Sequence, residues 1–140
     1  MILIDTNIIS EIMKAKPSAA VLQWLNEQPC QSLYTSSITI AEIKFGLSLL
    51  SKGRRRSQLE ERFNSYIDQV FDGRILSFTP QEGDCFAQIM SHNKAIGHPM
   101  SFADGQIAAI ARTALASPAT RNIKDFAHCN LELINPFSVR

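Results

Sequence analysis

The chain opens with residues 1–12, MILIDTNIISEI, in which a short apolar run precedes Asp5 and a second apolar run follows it. Short apolar runs alternate with longer segments of helical period along the rest of the sequence, and this pattern predicts an α/β domain with a mostly parallel central sheet. Asp5 then lies at the carboxyl end of the first strand. Sheets of this kind bind ligands at that edge, so Asp5 is a candidate functional residue.

The composition is that of an ordinary globular domain. The 140 residues are 45% hydrophobic and 19% charged, and 14 Lys and Arg residues nearly balance 13 Asp and Glu residues. This length fits one domain spanning residues 1–140, and the net charge argues neither for nor against a polyanionic partner. Three cysteines without a CxxC pair predict reduced thiols in a cytoplasmic protein, and no segment resembles a signal peptide or a membrane span.

Periodicity and turn residues place about five strands and the helices between them. Strands are expected at residues 1–5, 32–36, 73–78, 117–122 and 131–136. Helices are expected from Ile8 with Asn7 as its cap, from Pro17, in residues 39–50, 57–71 and 101–115, and from Pro80 with a Thr79–Glu82 capping box. The fourth of these helices carries its apolar residues in one stripe.

Three acidic residues lie in apolar surroundings at the ends of predicted elements. Asp5 ends the first strand, and Glu42 comes three residues after Thr39. Asp104 comes three residues after Ser101. Each has a structural explanation, because an acid can cap a helix or complete a capping box behind a hydroxyl residue. All three can also face one edge of the sheet, where repulsion between the carboxylates calls for a divalent cation such as Mg²⁺ or Mn²⁺.

Four segments in order carry a resemblance that spans nearly the whole chain. They are ILIDTNIISE at 2–11, ITIAEIKFG at 38–46, SFADGQIAAIA at 101–111, and ATRNIKDF at 119–126 followed by INP at 134–136. The sequence resembles a PIN domain, specifically the toxin nucleases of type II toxin–antitoxin pairs of the VapC and FitB kind. The resemblance implies a single PIN domain, an α/β/α sandwich, that hydrolyses RNA phosphodiester bonds with a metal-activated water.

The resemblance also implies which residues form the site. Asp5, Glu42 and Asp104 are the expected catalytic and metal-binding carboxylates for Mg²⁺, or Mn²⁺, with Glu42 acting directly or through water. At the fourth acidic position the chain offers Asn122, whose amide can hold a water, and Asp125 three residues later. Asn122 is the favoured residue of the two, and Asp125 is a ligand, a supporting group or a cap.

Four polar residues are expected to support the acids. Thr6 and Asn7 follow Asp5 directly, and they either orient its carboxylate or cap the next helix. Thr120 and Arg121 belong to the TRN motif and are expected near the scissile phosphate, although a solvated arginine is an equal alternative. The basic run KGRRR at 52–56 either contacts RNA phosphates or forms a solvated helix start.

The segment before TRN departs from the family pattern. Pro118 stands where relatives carry a branched apolar residue, and the preceding ALAS lacks their usual glycine. Since proline cannot donate to a strand ladder, the strand here is expected to be short or irregular.

The resemblance implies several partners besides RNA. A homodimer is expected, together with a cognate antitoxin in the active-site groove and a higher-order complex bound to DNA through the antitoxin. Apolar residues of the helices after Pro17 and Thr39 would form that groove, and an antitoxin arginine would neutralise the carboxylates. No membrane partner is expected.

The residues argue against two other functions and leave a third open. A receiver domain needs paired acids after strand one, where the DTN segment has only one acid. A haloacid-dehalogenase-like phosphatase needs a second aspartate where this chain has Asn7. A catalytically inert PIN-fold module that binds RNA or protein stays open, although the three retained acids argue against it.

Overall fold

The computed structural model describes residues 1–138. The strands are β1 (Ile2–Ile4), β2 (Leu33–Ser36), β3 (Ile75–Leu76) and β4 (Ser117–Ala119). They form one parallel sheet in the order β3-β2-β1-β4, so β1 and β2 occupy the centre. The predicted α/β class and the mostly parallel sheet are confirmed.

Six α-helices connect and cover these strands in the described part of the chain. They are α1 (Thr6–Ile12), α2 (Ala19–Glu27), α3 (Ser37–Ser48), α4 (Arg54–Tyr66), α5 (Pro80–Ala95) and α6 (Phe102–Ala114). One π-helical turn, Ile67–Phe71, continues α4, and a 3₁₀ turn, Ile123–Phe126, follows β4. None of the described helices has the length and apolar character needed to cross a membrane.

Two apolar clusters lie on opposite faces of the sheet, because Leu3 and Ile4 of β1 point to opposite sides. The cluster with Ile4 also contains Ile8, Ile9, Val21, Trp24, Ile43, Phe63, Ile67 and Phe71. The cluster with Leu3 contains Ile89, Ile107, Ile110 and Phe126. This arrangement is the expected α/β/α sandwich, and the predicted apolar stripe of α4 faces its core.

The predicted fifth strand at residues 131–136 is wrong, because the segment makes only a single bridge, between Ile134 and Ala119. Ile134 N donates to Pro118 O at 2.9 Å, and Thr120 N donates to Ile134 O at 2.9 Å. The next hydrogen bonds of a parallel ladder would need N–H groups on Pro118 and Pro136, and proline has none. The two prolines therefore limit the pairing to one bridge and leave β4 only three residues long.

Two helix starts differ from the prediction because the strand before each helix ends in its own cap. Asp5, rather than Asn7, caps α1, since its carboxylate accepts a hydrogen bond from Thr6 N. Ser36 caps α3 through Thr39 N, so Thr39 and Glu42 do not form a capping box. In both places the chain passes from strand to helix without a loop.

Other helix ends agree with the prediction more closely. Thr79 and Glu82 form the expected capping box of α5, and Ser101 caps α6 by accepting from Asp104 N at 3.2 Å. The helix predicted from Pro17 begins at Ala19, with Ser18 as its cap. At the end of α6, Leu115 adopts a left-handed conformation with φ 57°, where helices favour glycine.

Candidate functional site

A pocket of about 380 Å³ lies at the carboxyl edge of the sheet and collects the predicted acids. β1 leads directly into it through Asp5, α3 contributes Glu42, α6 contributes Asp104, and the loop after β4 contributes Asn122. The remaining lining residues are Thr6, Asn7, Ser10, Glu11, Lys14 and Arg121. The fold thus brings residues from four separate segments of the sequence to one place.

Asp5 is the most firmly held of the acids, and its side chain is buried. Its Oδ1 accepts from Thr6 N at 2.8 Å, and its Oδ2 accepts from Thr120 Oγ1 at 2.8 Å and from Asn7 Nδ2 at 3.3 Å. Burial raises the pKa of Asp5, and the charge of Glu42 adds to this effect, whereas the three donors oppose it. Asp5 therefore both caps α1 and presents a fixed carboxylate to the pocket.

Asn7 and Thr120 tie α1 to the loop after β4. Thr120 is fully buried, and its Oγ1 accepts from Asn7 Nδ2 at 3.3 Å and from Asn122 N at 3.0 Å. Asn7 Oδ1 accepts from Arg121 N at 3.0 Å. These hydrogen bonds fix the backbone of the TRN motif relative to Asp5, although Pro118 shortens the strand that precedes it.

Glu42 is the exposed member of the acidic group. Thr6 Oγ1 donates to Glu42 Oε1 at 2.7 Å and also lies 3.1 Å from Thr39 Oγ1. Thr39 is buried, and Ser36 Oγ donates to its hydroxyl at 3.3 Å. The hydroxyl groups of Ser36, Thr39 and Thr6 thus link the cap of α3 to the carboxylate of Glu42 and hold that carboxylate near the start of α1.

Asp104 is half-buried in the first turn of α6. Burial, followed by the negative charges of Asp5, Asp125 and Glu42, raises the pKa of Asp104 to about 6. The carboxylates of Asp5 and Glu42 are therefore close enough to that of Asp104 for their negative charges to act on it. Gly105 helps to position the helix, because a Cβ atom there would collide with Met90 of α5.

The donor set can be compared with what a metal ion requires. Among residues 1–138, no three His, Cys, Asp or Glu side chains are arranged to hold one ion together. Mg²⁺ needs only one or two carboxylates, because it keeps several of its waters, and it prefers oxygen ligands. Asp5 and Asp104 fit that requirement as a pair of mutually repelling carboxylates, with Glu42 reaching the same pocket from the solvent side.

The two candidates for the fourth acidic position lie in different places. Asn122 lines the pocket, immediately before the 3₁₀ turn Ile123–Phe126. Asp125 lies on that turn, is exposed and does not line the pocket, but its charge acts on Asp104. Arg121 lines the pocket with its guanidinium 4.4 Å from the centre of the Phe137 ring.

Sequence reasoning missed Glu11 and Lys14, which also line the pocket. Lys14 Nζ donates to Glu11 Oε1 at 2.9 Å, and Ser18 N donates to Glu11 Oε2 at 3.0 Å. These two donors, together with the charges of Lys14 and Arg121, lower the pKa of Glu11. The three-residue spacing between Glu11, in the last turn of α1, and Lys14, just after the helix, was the available signal.

Comparison with known proteins agrees with this fold. The PIN domain family model matches residues 2–128. The chain is 39% identical over 137 residues to "VapC ribonuclease Y4jK" of Sinorhizobium fredii, with 98% of both chains covered. It is 38% identical over 137 residues to "Toxin FitB" of Neisseria gonorrhoeae, with 98% of this chain and 99% of that protein covered. The "Structure of FitAB bound to IR36 DNA fragment" matches with a TM-score of 0.93 and 37% identity, covering 100% of this chain and 98% of that chain. The chain belongs to the PIN-domain family.

Proposed function

We propose that the protein is a metal-dependent endoribonuclease, the toxin of a toxin–antitoxin pair. One observation carries this proposal: Asp5, Glu42 and Asp104 come from three separate elements and line a single open pocket. Apolar packing alone would not bring three acids together, and their repulsion raises the pKa of Asp104. A relative named as a ribonuclease and another named as a toxin, each covering nearly the whole chain, support the same conclusion.

Each acid has a separate task in this proposal. Asp5 and Asp104 would hold Mg²⁺, or Mn²⁺, and Glu42 would complete the site directly or through water. When bound, such an ion would supply activation of water for attack on the phosphodiester and would offset negative charge on the phosphate oxygens. Thr120 and Asn7 are positioning residues, since their hydrogen bonds to Asp5 Oδ2 fix the carboxylate before the ion arrives.

The loop after β4 and the end of α1 supply the groups for the substrate. Asn122 lines the pocket at the fourth acidic position and holds a water, while Asp125 supports the site through its charge on Asp104. Arg121 and Lys14 carry the positive charges on the pocket wall and face the RNA phosphates. Both are exposed, so an incoming polyanion reaches them without rearrangement of the core.

The partners proposed are a cognate antitoxin and a second copy of the chain. The antitoxin would occupy the groove beside the acids and carry the complex to DNA in the cytoplasm. The FitAB structure supports this assembly, because it contains a relative of this chain in a complex bound to a DNA fragment.

RNA cleavage by the purified protein tests the activity. We expect Mg²⁺ or Mn²⁺ to support cleavage and EDTA to abolish it, and Asp5→Asn and Asp104→Asn each to lower the rate by about 100-fold or more. Asp84→Asn, an exposed acid of α5, is the matched control. Cleavage that survives loss of both Asp5 and Asp104 would refute the mechanism, and RNA binding without cleavage by the unmodified chain would support the inert module instead.

A further inference from the structure

A second cavity of about 500 Å³ adjoins the acidic pocket. Four residues line both of them: Thr6, Ser10, Lys14 and Glu42. Its other walls come from the end of α1, from α3 and from the start of α4. A nucleic-acid strand whose phosphate lies at the acids would therefore be within reach of this adjoining cavity.

Two arginines of α4 give the cavity its charge. Arg55 and Arg62 both line it, and their spacing of seven residues places them on one face of the helix, two turns apart. Both are exposed, and within residues 1–138 neither forms an ion pair. Arg56, from the same basic run, is instead held by Glu60 at 3.2 Å. Of the three arginines in the run at 52–56, Arg56 is thus used by the fold, whereas Arg55 lines the cavity and is free to bind a ligand.

Four apolar side chains form an apolar wall of the cavity. They are Ile43 and Leu47 of α3, Met13 after α1, and Leu59, which lies between Arg55 and Arg62 on α4. Gly46 also lines it, and a Cβ atom added to Gly46 would meet no atom within 4 Å. The cavity therefore has unfilled space beside this position of α3.

We propose that this cavity binds the single-stranded RNA that flanks the scissile bond, with Arg55 and Arg62 on its phosphates and a base against the apolar wall. The proposal rests on the proposed function, since it extends the substrate beyond the acidic pocket. Charge complementarity favours RNA over a protein segment, because Arg55 and Arg62 line the cavity and form no ion pair within residues 1–138. Flat bases pack on apolar side chains, and phosphates take the cations.

Binding without cleavage tests this cavity separately from the nuclease activity. A fluorescein-labelled single-stranded RNA of mixed sequence is titrated with the full chain in EDTA, and its anisotropy gives the Kd at several salt concentrations. For Arg55→Gln/Arg62→Gln we expect a Kd raised by about 10- to 25-fold at about 0.1 M salt, and a slope of log affinity against log salt that is shallower by about 1.4. Arg54→Gln, from the same run but outside the cavity, is the matched control and leaves the slope within about 0.3 of the original.

Filling the space supplies a second, uncharged perturbation. Gly46→Trp projects a large side chain into the cavity and is expected to weaken RNA binding by about tenfold or more. The proposal would be overturned if both cavity variants left the RNA affinity and its salt dependence unchanged. It would also be overturned if the variants abolished binding of an antitoxin segment but left RNA binding intact. These measurements need no cleavage, so a failure of the unmodified chain to cleave RNA would refute only the nuclease function.

Discussion

Replacing Asp104 with asparagine should make the metal-free protein more stable, because the folded chain partly buries this carboxylate and surrounds it with other negative charges. Its pKa rises from 3.8 to about 6, which corresponds to about 3 kcal/mol before solvent is considered. The side chain is only half-buried, so screening reduces this to about 1.5 kcal/mol. Loss of a negative charge from the first turn of α6 returns about 0.5 kcal/mol. We therefore expect a net gain of about 1 kcal/mol at neutral pH.

Thermal unfolding in EDTA measures this gain, and its pH dependence identifies the cause. For a domain of this size, 1 kcal/mol corresponds to an increase in Tm of about 3 to 4 °C. A raised folded-state pKa adds stability that is fully present below 3.8 and is lost as the pH rises through about 6. The advantage of Asp104→Asn over the unmodified chain should thus be complete above about pH 7 and shrink toward pH 4.

Two results would refute this reasoning. A Tm for Asp104→Asn that is unchanged or lower at pH 7.5 would mean that burial and the neighbouring acids do not penalise the charged carboxylate in the folded chain. A Tm difference that persists undiminished at pH 4 would assign the gain to packing instead of charge. Asp84→Asn removes an exposed acid from α5 and should shift Tm by less than about 1 °C, which controls for net charge.

Two further predictions concern the segment around β4. Leu115 is 90% exposed and adopts a left-handed backbone conformation. Leu115→Gly relieves this strain, and the relief exceeds the cost of the added entropy of the unfolded chain. We expect urea titration to show about 0.5 to 1 kcal/mol of stabilisation, and an unchanged midpoint would contradict this. Thr120→Val removes the donor to Asp5 Oδ2 and the acceptor for Asn122 N, and we expect a loss of about 2 kcal/mol in urea and a cleavage optimum moved to higher pH, with Thr120→Ser as the control that retains both.

Much of the fold follows from patterns that are local in the sequence. β1, β2 and the stripe of α4 were predictable because alternation and helical period depend only on neighbouring residues. The fifth strand was not, because its failure depends on register. Pro118 and Pro136 stop the ladder only when Ile134 lies opposite Ala119, and nothing in either segment alone specifies that alignment.

Asp5 could be assigned to the pocket from its own segment, since it ends β1 and the carboxyl ends of parallel strands share one edge. Glu42 and Asp104 lie in helices, where capping explains an acid equally well, so the family resemblance was needed to single them out. Glu11 was missed because the helical pattern alone does not reveal that Lys14 turns back over the pocket. Likewise, only the packing of α4 beside α1 and α3 distinguishes Arg55 from Arg56.

The three acids differ in how far the protein compensates their charge, and this difference determines where a cation gains most. Three donors already satisfy Asp5, so an ion finds that carboxylate oriented and needs little rearrangement. Glu42 is exposed, and water compensates it. Asp104 is half-buried and faces the negative charges of Asp5, Asp125 and Glu42. A bound cation, whether Mg²⁺ or an arginine of a protein partner, therefore gains most of its electrostatic free energy at Asp104. For that reason Asp104→Asn should weaken both kinds of ligand while it stabilises the chain that holds neither.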